Sequence, residues 1–157
     1  MRSIPTRSHR RRIASPRAST LSTSAALLAR TLEFQGRLDE AERFTILSEQ
    51  TASADDVASQ TTWRGVRARV LARRGELDEA QRLARGGARI AARTDFLVWR
   101  GEALLDLAEV LRLSGDSQAF SDTAEEALRF FEAKGHVVLR EQTRALLREP
   151  TVELRTA

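Results

Sequence analysis

Two histidines, 22 carboxylates and neither cysteine nor tyrosine are what this chain of 157 residues offers to acid–base, nucleophilic or metal chemistry. His9 lies in an arginine-rich start and His136 near the other end, so no two histidines have the spacing of metal ligands. The absence of cysteine removes disulfides, thiol nucleophiles and Cys-ligated metals. Arg85-Gly86-Gly87-Ala88 is the nearest approach to a phosphate loop, yet it lacks the following Lys-Ser/Thr and falls inside a helical pattern. The carboxylate pairs Asp39-Glu40, Asp78-Glu79 and Glu125-Glu126 occupy first turns or outer faces of amphipathic helices, where they favour the helix dipole. His136 reads as a solvated residue at a helix start. This inventory predicts no catalytic residue, no cofactor and no metal, and therefore not an enzyme.

Charge needs to be divided along the chain before it means anything. The formal net charge is +4, but Arg2, Arg7, Arg10, Arg11, Arg12 and Arg17 all precede residue 25 with no acid among them. The 20 basic residues beyond them are outnumbered by 22 acidic ones, so the high pI belongs to a tail and the rest has no net attraction for phosphates. Nucleic-acid binding through that tail is the alternative reading, expected to be weak and non-specific. All basic residues but Lys134 are arginine, a bias that suggests the codon usage of a GC-rich, bacterial genome. No run of 18 apolar residues spans a membrane and no apolar signal core follows Arg10-Arg11-Arg12, so the expectation is a cytoplasmic protein without membrane contact.

The elements that would position any site are marked by a repeat. Gly36-Arg37-Leu38-Asp39-Glu40-Ala41-Glu42-Arg43 returns 39 residues later as Gly75-Glu76-Leu77-Asp78-Glu79-Ala80-Gln81-Arg82, and a worn copy begins at Gly115. Such a period signals helical units too small to bury their own apolar faces, which stack on their neighbours. No proline lies between Pro16 and Pro150, and apolar stripes at helical spacing predict helices at 21–35, 38–52, 55–74, 77–93, 95–114, 117–134 and 136–149. Asp55, Asp56 and Thr94-Asp95 sit where N-caps belong, and Gly36, Gly75, Gly115 and Gly135 where a chain leaves a helix through a left-handed residue. The expected organisation is a disordered Arg/Ser-rich tail over 1–20, an all-α repeat domain over 21–149 and a disordered end over 150–157. The wide stripe of helix 95–114 assigns it to the centre of the stack. Within helix 77–93, Gly87 is expected to permit close helix contact, whereas Gly86 reads as an exposed weak point.

Ala29, Ala68 and Ala108 stand seven residues before the repeat glycines and Leu32, Leu71 and Leu111 four before. Ala41, Ala80 and Phe120 follow five after, then Thr45, Ala84 and Ala124. This arrangement resembles the tetratricopeptide repeat over about residues 25–134, with 136–149 as a capping helix. The family's aromatic is Ala25, Arg64 or Leu104 here, its tyrosine is leucine, its closing proline is missing and the period is longer. Trp63–Ala72 and Ala103–Leu111 further resemble the C-terminal helical region of large bacterial signalling ATPases, including those with nucleotide-cyclase or transcription-factor domains. That likeness implies a fragment or C-terminal part of a longer signalling protein.

The resemblance implies a non-catalytic scaffold that binds a protein or peptide along a concave face lined by the first helix of each pair. It assigns Arg30, Glu33, Phe34, Arg69, Arg73, Leu105, Glu109 and Arg112 to that groove. Four arginines there could grip carboxylates bidentately, or the face could consist of mutual Arg and Glu pairs. Ala26, Gly65 and Leu105 stand where the chaperone-binding subclass needs polar groups, which excludes that subclass. Trp63 and Trp99 are expected in the core. Leu27, Leu28, Leu32 and Phe34 leave the first helix apolar and uncapped, which predicts self-association through the N-terminal repeat, as a two-fold homodimer or a weaker concentration-dependent assembly.

Overall fold

The computed structural model describes residues 16–149, and in it every regular element is a helix. The chain runs through α1 (Pro16–Phe34), α2 (Leu38–Thr51), α3 (Val57–Arg73), α4 (Leu77–Ala91), α5 (Leu97–Leu113), α6 (Ser117–Lys134) and α7 (Val137–Arg148). Neighbours in sequence pack as hairpins: α1 on α2, α3 on α4 and α5 on α6. α1, α3 and α5 also pack side by side, whereas α2, α4 and α6 rest chiefly on the inner helices rather than on one another. Closer spacing on one layer than on the other curves the array, with α1, α3 and α5 on its inner side. This is an all-α helical repeat array. α7 packs on α6 at the far end, and α5 touches α3, α4 and α6, as its wide apolar stripe requires.

The repeat positions are the core positions. Ala29, Ala68 and Ala108 are each fully buried, and so are Ala41, Ala80, Thr45 and Ala124. Small residues there let the helices cross closely, and Leu32, Leu71, Leu111 and Phe120 fill the space between them. Each hairpin turns on the same device. Gly36, Gly75, Gly115 and Gly135 have φ of +76°, +85°, +79° and +71°, which only glycine adopts without penalty. The amide after each then reaches back to the helix: Arg37 to Leu32 O at 2.9 Å, Glu76 to Leu71 O at 3.0 Å, Asp116 to Leu111 O at 3.1 Å and His136 to Phe131 O at 2.8 Å. The repeated leucine therefore packs with its side chain and ends the helix with its carbonyl.

Several boundaries and caps differ from expectation. α1 starts at Pro16, so residues 16–20 are helical rather than part of a disordered tail. Proline suits a first helical turn, and Ser22 and Thr23 fasten the extra length to the start of α3: Ser22 Oγ lies 2.9 Å from Asp56 Oδ2, and both hydroxyls lie 3.1 Å from Ser59 Oγ. The expectations of disorder over 1–15 and 150–157 fall outside the described residues. Asp56 caps α3 by accepting from Ser59 N at 3.1 Å, as expected. At α5 the cap position is Phe96, not Thr94 or Asp95, and Thr94 Oγ1 accepts from Phe96 N at 3.4 Å instead. His136 is not merely solvated, because its Nδ1 accepts from Leu139 N at 3.3 Å and caps α7.

Candidate functional site

The inner face assembles from the bottom upwards. α1 supplies Arg30 and Glu33, α3 supplies Arg69 and Arg73 one turn apart, and α5 supplies Glu102 and Asp106 one turn apart. Arg69 Nη2 donates to Glu33 Oε2 at 2.8 Å, and its other terminal nitrogen donates to Asp106. Arg30 reaches Asp106 at 3.1 Å and Glu102 at 3.3 Å, while an Arg73 nitrogen lies 2.5 Å from Glu33 Oε1. Three cations meet three anions, so the network is neutral.

Its centre is dry. The side chains of Glu33, Asp106 and Arg69 are 1%, 3% and 8% exposed, a depth at which an unpaired charge would cost several kcal/mol. Burial works against the Arg69 charge, but Asp106, Glu33 and Glu109 outweigh it and hold the guanidinium above its ordinary pKa. Glu102, nearer the rim, goes the other way. Burial, seconded by Asp106, pushes its carboxyl up, and Arg30 compensates only in part. Pairing is not complete either, since Arg30 Nε and Arg69 Nε are buried without a hydrogen-bond partner.

Gly65 makes the network possible. A Cβ built on it would stand 2.6 Å from Asp106 Cγ, so any side chain on that turn of α3 would displace the carboxylate. Without one, Asp106 leans over α3 and meets an arginine from α1 that would otherwise be out of reach.

Of the residues assigned to the groove, Arg30, Glu33, Arg69 and Arg73 are thus engaged with each other or with α5, and Glu33 and Arg69 are too deep to meet a partner. Burial of an ion pair wins over exposure because Gly65 and the crossing helices close the face. Glu109 and Arg112 pair with one another at 3.0 Å, Leu105 is half-buried, and only Phe34 stands out, 75% exposed. Glu102 and Asp106 complete the network and were not among the expected residues. Asp106 had a signal: it is the lone charge in Ala103-Leu104-Leu105-Asp106-Leu107-Ala108. Trp63 is buried, with Arg64 and Arg67 at 4.1 and 4.5 Å from its ring centroid. Trp99 is half-buried and lies 4.5 Å from the exposed Phe96.

Chemically the inner face is a tie rather than a reactive site. Guanidinium groups do not exchange protons near neutrality, and the carboxylates beside them are held in ion pairs. Among the described residues, no group of three potential ligands could hold a metal, and no helix is long and apolar enough to cross a membrane. No family model matches the chain, and neither curated proteins nor solved structures give a significant match.

Proposed function

We propose that the chain is a non-catalytic protein-interaction module of the cytoplasm, and that the surface it presents is the outer face of α1. The tetratricopeptide likeness supports the interaction role, and the likeness to signalling ATPases supports a regulatory setting as part of a longer bacterial protein. The carrying observation is an uncharged stripe. Leu21, Leu27, Leu28 and Phe34 are 46%, 56%, 41% and 75% exposed along one side of α1, with Ser24 and Thr31 between them. From residue 18 onwards the helix has only two charges, Arg30 and Glu33, and both are spent on the inner network.

The occupant is a second copy of the chain. A two-fold axis sets identical patches against each other, and a patch without charge suffers no like-charge repulsion in that arrangement. The opposite end differs: Val137 and Val138 are exposed at the start of α7, but Arg140, Glu141 and Arg144 follow them on the same helix and pair among themselves and with Glu132. Burial of apolar area at about 25 cal/mol per Å² supplies the driving force. Light scattering across a concentration series should show a dimer that Leu28→Glu converts to a monomer of unchanged helicity. A strict monomer at high concentration, or a dimer indifferent to Leu28→Glu and Leu27→Glu, would overturn the reading.

A further inference from the structure

The outer side of the array holds arginines in a different state. α4 presents Arg82, Gly86 and Arg89 on one stripe that continues to Arg93 in the turn beyond the helix, and Arg64 of α3 closes against it. With Leu83 and Ile90 these residues line a cleft of about 460 Å³, within the size range of small-molecule sites. Arg82 is partnered by Glu79, with Nε donating to Oε2 at 2.6 Å. Arg64 donates to Gln60 O at 2.8 Å and lies on the Trp63 ring. Arg89 and Arg93 have no carboxylate within ion-pair distance among the described residues. Glu49, whose charge reaches Arg64 and Arg82, is tied to Arg67 at 2.7 Å. Four cations thus face one carboxylate.

Helix-dipole compensation accounts for part of this and no more. A basic residue in a last turn is favoured, which covers Arg89. It does not cover Arg82, which lies nearer the start of α4, or Arg64, which comes from another helix. Burial holds the Arg64 guanidinium below its ordinary pKa, with Glu49 opposing and the charges of Arg67 and Arg82 adding to the effect. An anion in the cleft would relieve that crowding. Gly86 lines the cleft beside Arg64, where an added Cβ would lie 3.7 Å from Arg64 Cδ, an ordinary contact that narrows the space without a clash.

We propose that this cleft binds a small phosphate compound of the phosphate-ester or pyrophosphate class. Guanidinium forks match phosphate oxygens bidentately, and an excess of three positive charges calls for a multiply charged anion. Leu83 and Ile90 provide an apolar wall for an organic group. The site shares no residue with the α1 stripe and does not rest on the interaction reading.

The test is a titration of the full chain with inorganic pyrophosphate, followed by calorimetry and by tryptophan fluorescence, since Arg64 stacks on Trp63. Phosphate, ADP, citrate and a short DNA duplex serve as parallel arms. One-to-one binding is expected, weakened roughly tenfold or more by Arg89→Ala and again by Arg93→Ala, since each removes a charge-assisted contact. Arg129→Ala, on α6, should leave it unchanged. Gly86→Ala should weaken it while the protein gains stability, a pairing that loss of folding cannot mimic. Citrate binding as tightly as pyrophosphate, DNA displacing pyrophosphate, or affinity indifferent to both arginine variants would each overturn the assignment.

Discussion

Arg69 and Arg89 carry the same guanidinium into opposite circumstances. Arg69, on α3, is buried with a carboxylate from α1 and one from α5 on its nitrogens, and Arg89 lines an open cleft without an acid at ion-pair distance among the described residues. The inner network is neutral and buried, so its worth is measured by what happens when one member leaves. The outer cleft is cationic, and Arg82, Arg89 and Arg93 are exposed in it, so its arginines contribute little to folding and remain available to something else. Equal residue types on the two faces therefore say nothing until their partners are counted.

The strongest way to break that comparison is to delete one arginine from each side. Arg69→Ala removes the one cation that Glu33 and Asp106 share, leaving Arg73 on the first and Arg30 on the second, and should cost about 3 to 5 kcal/mol in urea unfolding. Arg89→Ala should stay within about 0.5 kcal/mol of the parent. Similar losses for the two would mean that the inner network is wet or the outer arginine is tied.

Glycine substitutions sharpen the contrast at smaller scale. Gly65→Ala drives a methyl group into the Asp106 carboxylate and should cost about 1 to 3 kcal/mol. Gly86→Ala meets only ordinary contacts and should gain about 0.5 to 1 kcal/mol through helix propensity. Denaturant midpoints moving in the same direction would refute one of the two environments. The half-buried floor position of Gly86 corrects the expectation of an exposed one, without changing the expected sign. Gly87, by contrast, is buried against the Thr61 carbonyl, as a close helix contact demands.

The smallest effect concerns Glu102. Its carboxyl is raised in the folded chain by burial, so the stability it contributes belongs to the protonated form, fully present below the unfolded pKa and lost as pH rises through the folded value. Glu102→Gln should therefore become stabilising relative to the parent as pH goes from about 4 to about 7. A difference between the two midpoints that is flat with pH, or that falls, would show that Arg30 rather than burial rules at the rim.

Much of the architecture could be read from the residue pattern. The recurrence at Gly36, Gly75 and Gly115 marks three hairpins, and the small and large residues at fixed distances from those glycines are the ones found buried. The helix limits follow within a few residues, apart from the start of α1, where Ser22 needs Asp56 and Ser59 of another helix to hold its turn. The contents of the inner face were less legible. The tetratricopeptide resemblance implies which helices are inner, but not that a missing side chain at Gly65 lets α1 and α5 meet across α3. The cleft escaped notice for another reason: a charge balance taken over the whole repeat region hides a local excess of cations around Gly86.

One contact has consequences for how such an array comes apart. Repeat arrays are commonly described as beads whose energies add, each coupled only to the next, which lets the ends fray while the middle holds. Arg30 breaks that rule by joining the first hairpin directly to the third, through Glu102 and Asp106. A latch that skips a bead closes a chain into something nearer a loop. The expected melting is all-or-none, with amides of α1 exchanging with solvent no sooner than those of α5.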